Sequence, residues 1–229
     1  MAPWRVRDRL RVAWTFRGAR GVQAACLWLS VEVLVRRSGL PATQIAAMLI
    51  LMLVFGRRVL RERLRPADLG YRWSRPAVVA GATSGVVLFA ILLGTAALDR
   101  AVFDPGDDAG WPRRLADADP VAMLALVVGN GLLAPLVEEY AWRGYIQTRL
   151  VHDWGAATGL AATAAGFAAK HLLVDLSLVR LATLLVGSAA LSAIAHRWGT
   201  AASTLAHAAT NTAATLLVIV SASEWGAAD

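Results

Sequence analysis

Cysteine and lysine are almost missing from this chain: among 229 residues, Cys26 and Lys170 each occur once. A lone cysteine excludes an internal disulfide and a cysteine-rich metal site. Charge is scarce as well, at 17% of residues, where a water-soluble domain carries about 25%. No glycine-rich phosphate loop occurs, which argues against an ATP-driven transporter subunit. The basic N-terminus is not followed by a small-residue cleavage site after its first apolar run, so that run reads as an uncleaved helix rather than a signal peptide.

What remains is apolar. Hydrophobic residues make up 57% of the chain and mean hydropathy is +0.53. The excess is spread in repeated stretches over the whole length, which excludes disorder, a secreted disulfide scaffold and an ordinary soluble enzyme. Stretches without Asp, Glu, Lys or Arg cover 38–56, 76–98, 120–137, 154–169 and 198–223, with weaker ones at 181–195 and at 21–35, the latter interrupted by Glu32. A spanning helix needs about 20 apolar residues. The pattern predicts an all-α, polytopic transmembrane bundle of seven helices, with six or eight as neighbouring solutions. Residues 1–119 read as N-terminal helices and loops, 120–222 as a core that carries the chemistry, and 223–229 as a tail.

The net charge is +7, and every basic residue except Lys170 is arginine. These charges lie between the apolar runs, where lipid headgroups rather than nucleic acid are the natural counter-charge. Arg5, Arg7, Arg9, Arg11, Arg17 and Arg20 precede the first span, and Arg57, Arg58, Arg61, Arg63, Arg65, Arg72 and Arg75 follow the second. The loop 99–119 is acidic, with Asp99, Asp104, Asp107, Asp108, Asp117 and Asp119 against three arginines. The positive-inside rule then puts the N-terminus in the cytoplasm and the C-terminus outside. Trp4, Trp14, Trp28, Trp73, Trp111, Trp154, Trp198 and Trp225 fall mostly near span ends, as an interfacial belt would. The arginine-rich, lysine-poor composition points to a GC-rich bacterial genome, and hence to the bacterial cytoplasmic membrane.

Ionisable groups inside lipid cost about 2.5–3.5 kcal/mol each on insertion scales, so they mark function by default. Three such groups stand in the second half: Glu138-Glu139 with Arg143, Phe167 with Lys170-His171, and His207 with Asn211. Glu139 and Arg143 are four residues apart and face each other on one side of a helix. Glu138 is rotated by about 100° and escapes that pair, which favours it as the general base. His207 and Asn211 are also four apart, presenting an imidazole and a carboxamide together. The Asn can donate to a developing oxyanion, while the His can donate or bind a metal. His152 and His196, at predicted helix ends, read as solvated. Gly131 and Pro135 precede Glu138, where they either kink the helix or merely ease its packing.

Depth decides whether these groups meet. If the fourth helix runs to about residue 149, Glu138 lies ~16 Å, His171 ~24 Å and His207 ~10 Å from the inner ends of their helices. That brackets one level in the inner half of the bilayer. Ending the helix at 137 instead puts Glu138 and His171 on opposite faces, so the longer helix is preferred.

Glu138-Glu139-x-x-x-Arg143, Phe167-x-x-x-His171 and His207-x-x-x-Asn211 resemble, in that order, the three motifs of the CPBP or Abi family, the CAAX-prenyl-protease and bacteriocin-processing intramembrane endopeptidases. The resemblance covers about residues 120–220. It implies peptide-bond hydrolysis within a helical bundle, acting on a membrane-associated protein or peptide. Glu138 matches the glutamate that activates water, and His171 assists there or binds a metal. His207 and Asn211 match the pair assigned to the oxyanion, or to the metal in a competing scheme. Glu139, Arg143 and Phe167 match supporting positions. A Zn²⁺ held by His171 and His207 with a carboxylate is chemically adequate. Lys170 departs from the pattern: turned inward it opposes a cation, turned outward it anchors the helix. Two alternatives stand beside the protease, a non-catalytic membrane scaffold or self-immunity protein and a small proton-linked transporter.

Overall fold

The computed structural model describes residues 19–36, 43–102, 120–175, 178 and 180–226. These form seven helices: α1 (Ala19–Arg36), α2 (Thr43–Arg61), α3 (Arg75–Val102), α4 (Pro120–Trp154), α5 (Ala156–Asp175), α6 (Leu181–Trp198) and α7 (Thr200–Gly226). A 3₁₀ turn, Pro66–Leu69, lies between α2 and α3. The expected all-α class and helix number hold among the described residues. Four segments are long and apolar enough to cross a membrane, namely Arg75–Asp99, Pro120–Trp154, Leu181–Trp198 and Thr200–Ser221. The protein is therefore a multi-pass membrane protein. Large apolar side chains such as Leu53, Val86, Val121 and Val220 point outward, the inverse of a soluble surface. The arginines at 5–17 and the acidic loop from 103 to 119 lie outside the described residues.

α4 is one rod through Glu138, as the depth argument required, and on to Trp154, but it is not uniform. Two widened π-helical segments, Val127–Leu133 and Tyr140–Gln147, flank the short α-helical stretch Ala134–Glu139. Pro135 has no N–H to give back to the preceding turn and its ring would crowd that turn's carbonyl. The wide segment before it takes up the mismatch. Gly131 is a packing accommodation: a Cβ there would lie 2.6 Å from Thr212 Oγ1 on α7.

Two glycines in positive φ turn the chain back on itself. Gly155 (φ 82°) ends α4 and Gly199 (φ 92°) ends α6, each returning its N–H to a carbonyl four residues back. Neither conformation suits a residue with a Cβ. The turn at Gly199 also docks the α2–α3 connection, because Thr200 donates from its N–H to Gly70 O (2.9 Å) and from Oγ1 to Leu69 O (2.6 Å). The start of α7 is thereby fixed, and His207 lies two turns further on.

The α3–α7 crossing rests on small residues. Gly81 and Gly85 face Ala202, Ala206 and Ala209, and Thr210 Oγ1 donates to Gly85 O (3.1 Å). Where lipid removes most hydrophobic drive between helices, such close backbone approach supplies the contact energy. Asp99, expected in an exposed acidic loop, is instead buried at the end of α3. Its two oxygens accept the N–H groups of Ala182 (2.9 Å) and Thr183 (3.0 Å) at the start of α6. Those donors have no helical partner of their own, which explains the burial.

Trp28 corrects the aromatic-belt expectation. It is wholly buried, with its ring edge-on to Phe55 (5.6 Å) and Trp142 (6.3 Å). Trp73 and Trp198 are exposed near helix ends, as a belt requires. Beyond the end of α2, Glu62 receives hydrogen bonds from the Tyr145 hydroxyl and Arg149, joining α2 to the far half of α4.

Two outcomes follow. A Cβ on Gly81 would stand 2.8 Å from both Ala202 O and Leu205 Cβ, so Gly81→Val is expected to lower stability by about 1–3 kcal/mol, measured as thermal unfolding in detergent. Partial burial pushes the Glu62 carboxyl up, but the Tyr145 hydroxyl, Arg149 and Arg58 outweigh it and hold it below its ordinary value of 4.5. A depressed carboxyl contributes stability that is present above its unfolded value and lost as pH falls through the folded one. Acid unfolding below that range should therefore be shallower in Glu62→Gln than in the native chain.

Candidate active site

Four helices bring the sequence-singled residues together. α4 supplies Glu138, Glu139 and Arg143, α5 supplies Phe167, Lys170 and His171, α7 supplies His207 and Asn211, and α1 adds Trp28 and Glu32. Both glutamates are buried, and Arg143 is 1% exposed.

The Glu139–Arg143 pair read from the four-residue spacing forms, with Arg143 Nη1 3.0 Å from Glu139 Oε1. The same oxygen is 2.9 Å from His207 Nδ1. A carboxylate paired with a guanidinium only accepts, so His207 Nδ1 carries the hydrogen here. His207 Nε2 is thereby aimed at Glu138, 3.9 Å from Oε2. Arg143 spends its other terminal nitrogen on α6, donating to the carbonyl (3.2 Å) and hydroxyl (3.0 Å) of Ser188.

Glu138 has the surprise. Its helix offers it no cation, as the spacing implied, yet Lys170 reaches it from α5 and donates to Oε1. Lys170 is wholly buried and also lies 3.5 Å from Glu32 Oε2. Glu32 in turn accepts from Trp28 Nε1 at 2.5 Å. The one residue that departs from the motif pattern thus turns inward, and its charge is shared between a core glutamate and one on α1. Sequence reasoning noted Glu32 only as an interruption of a weak span. Its signal was there, since a carboxylate alone in an apolar helix demands a buried partner, but nothing local names that partner.

Phe167 is the hub of the cluster. Its ring stands edge-on to Trp142 (5.6 Å), His171 (5.2 Å) and His207 (6.1 Å). Arg143 Cζ and Lys170 Nζ lie 4.2 and 4.8 Å from its centroid, close enough for cation–π attraction. Both imidazoles lie against this one ring, with His171 half-buried at its edge. Asn211 is placed by the first wide segment of α4: Nδ2 donates to Asn130 O (3.1 Å), and Asn130 Nδ2 donates to Thr215 Oγ1 (2.8 Å). One of the two Asn211 N–H bonds is spent in this way, leaving the second for another acceptor.

A divalent cation fits this arrangement poorly. Among the described residues no group of three or more His, Cys, Asp or Glu is disposed to hold a metal ion. Lys170 already presents a positive charge to Glu138, which opposes a divalent cation there. His171 and His207 therefore do not combine with a carboxylate into a zinc site here.

Residues 120–213 match the family described as type II CAAX prenyl endopeptidase Rce1-like. No curated protein and no solved structure matches the chain. All the site residues except Trp28 and Glu32 fall inside the matched segment.

Removing one partner of a buried ion pair strands the other charge. Lys170→Met is expected to cost about 3–5 kcal/mol of stability. Adding Glu32→Gln, which removes one of the two stranded carboxylates, should return part of that loss. Unfolding of the three proteins under matched detergent conditions measures both.

Proposed function

We propose, from the premise that residues 120–213 belong to this Rce1-like family, that the chain is an intramembrane endopeptidase cleaving a membrane-associated protein or peptide. The observation that carries the reading is the position of Glu138. It is buried in a helix of a membrane protein, one oxygen held by Lys170 and the other facing His207 Nε2 at 3.9 Å.

In this reading Glu138 is the general base. A water between Glu138 and His171 gives a proton to the carboxylate while its oxygen adds to the peptide carbonyl carbon. The carbonyl oxygen becomes an oxyanion, met by the remaining Asn211 N–H and by His207 with a proton on Nε2 as well as on Nδ1. Collapse of the adduct breaks the C–N bond, and Glu138 returns its proton to the leaving amine. Lys170 donates to Glu138 Oε1 and orients that carboxylate, and Glu32 shares the same ammonium. Glu139 and Arg143 act through His207, fixing its hydrogen on Nδ1 and its ring orientation, as a second carboxylate commonly does for a working histidine. No step requires a metal.

The orientation proposed is N-terminus in the cytoplasm and C-terminus outside, on the asymmetry of arginine between the connections. The ammonium on Glu138 favours one competing reading, a non-catalytic scaffold in which the motif residues serve only as a buried ion network. Substitution separates the two. Glu138→Gln nearly preserves shape while removing the base, and is expected to lower cleavage roughly 10²–10⁴-fold. Terminal-enrichment mass spectrometry of membranes, native against Glu138→Gln at equal abundance, reads this directly. Termini that vanish in the variant support the protease; identical termini with an intact cellular phenotype support the scaffold.

A further inference from the structure

Arg143 takes part in a second feature that the mechanism does not use. A cleft of about 290 Å³ opens where α4, α6 and α7 meet, lined by Gly70, Arg143, Gln147, His152, His196 and Thr200 among others. His152 and His196 are exposed at helix ends, whereas Gln147 and Arg143 are buried at 3% and 1%. The cleft therefore joins the aqueous end of the bundle to its interior.

From its inner wall a polar seam runs between α4 and α6. Glu139, Arg143 and Gln147 follow at four-residue steps on α4, and Ser188, Ser192 and His196 do so on α6. Gln147 Nε2 donates to Ser192 O (3.0 Å), and Arg143 Nη2 to Ser188 O and Oγ. Among the described residues, four buried atoms along this seam meet no hydrogen-bond partner: Gln147 Oε1, Ser192 Oγ, Arg143 Nε and Glu139 Oε2. Ser203 donates its hydroxyl to Thr200 O (3.1 Å). Buried polar atoms in native proteins are satisfied, and internal water is the usual means where protein groups are not. The four atoms suit a file of water: acceptors at Gln147 and Glu139, a donor at Arg143, and a hydroxyl of either sense at Ser192.

We infer that this seam is a water path, taking solvent from the cleft past Gln147, Ser192 and Arg143 to Glu139 and His207. The inference rests on the hydrolytic reading for its purpose, since each bond cleaved consumes one water and the bilayer core holds none to supply it. Its structural content stands apart from that reading. The seam uses a face of α4 that does not carry Glu138.

The test has two arms on the full-length protein. A high-resolution experimental structure is expected to show water within hydrogen-bond distance of Gln147 Oε1, Ser192 Oγ and Arg143 Nε. A dry seam with those atoms paired to protein groups overturns the inference. In the second arm, Ser192→Ala and Gln147→Leu are each expected to lower kcat roughly 10-fold with KM little changed, while Ser192→Thr, which keeps the hydroxyl, retains activity. Leu185→Ala on the exposed side of α6 serves as the unchanged control. Folded variants with native kcat overturn the supply role even if water is seen. A native protein that cleaves nothing sinks the hydrolase reading, and the water positions then decide the seam by themselves.

Discussion

Charge inside this bundle is balanced between helices, and the arrangement of the whole site depends on that balance. Glu138 and Glu139 are adjacent on α4, where two uncompensated carboxylates in a low-dielectric surrounding would be costly. Each is given its own cation. Arg143 comes from one turn along the same helix, and Lys170 comes from α5. Lys170 is shared with a second carboxylate, Glu32 on α1. Glu139 carries the balance onward to His207 on α7. Two chains of polar contacts thus tie α1, α4, α5 and α7 together, and the position of each site residue depends on pairing with the next.

The backbone of α4 makes this possible. Between two widened segments, the stretch Ala134–Glu139 is rotated and displaced relative to a uniform helix. Wide π turns recur at functional sites because they turn side chains and free carbonyls that a regular helix would occupy. Asn130 O, which accepts Asn211, is one such carbonyl. Phe167 completes the device, since one ring lies against two imidazoles and two cations. An aliphatic residue there would fill the space without the edge and face electrostatics that those groups meet.

Much of this was open to reading before any coordinates. The apolar intervals required helices, because every backbone polar group within lipid must be satisfied inside its own segment. The four-residue spacing of Glu139 and Arg143 required their pairing, and the order of the motifs pointed to the family that residues 120–213 match. Even the passage of α4 through Glu138 followed from asking that three polar groups share a depth, although the helix runs on to Trp154, past the expected end near residue 149. The misreadings have a common origin. Trp28 was assigned to an interface by its place in the sequence, and Asp99 to an exposed loop by its acidic neighbours, yet each is buried by a partner more than 20 residues away.

Sequence alone therefore determined what is periodic or local: the helices, their apolar length, the pair within one turn and the identity of the polar groups. Tertiary structure decided the partners. Lys170 facing Glu138 instead of lipid, Glu32 sharing its ammonium, and the seam of Gln147 and Ser192 between α4 and α6 all depend on how far each helix is rotated about its axis. That rotation is set by where small residues such as Gly81 and Gly131 let backbones approach, and by which buried charges must meet. Both are properties of two helices at once, and neither is written in the period of one.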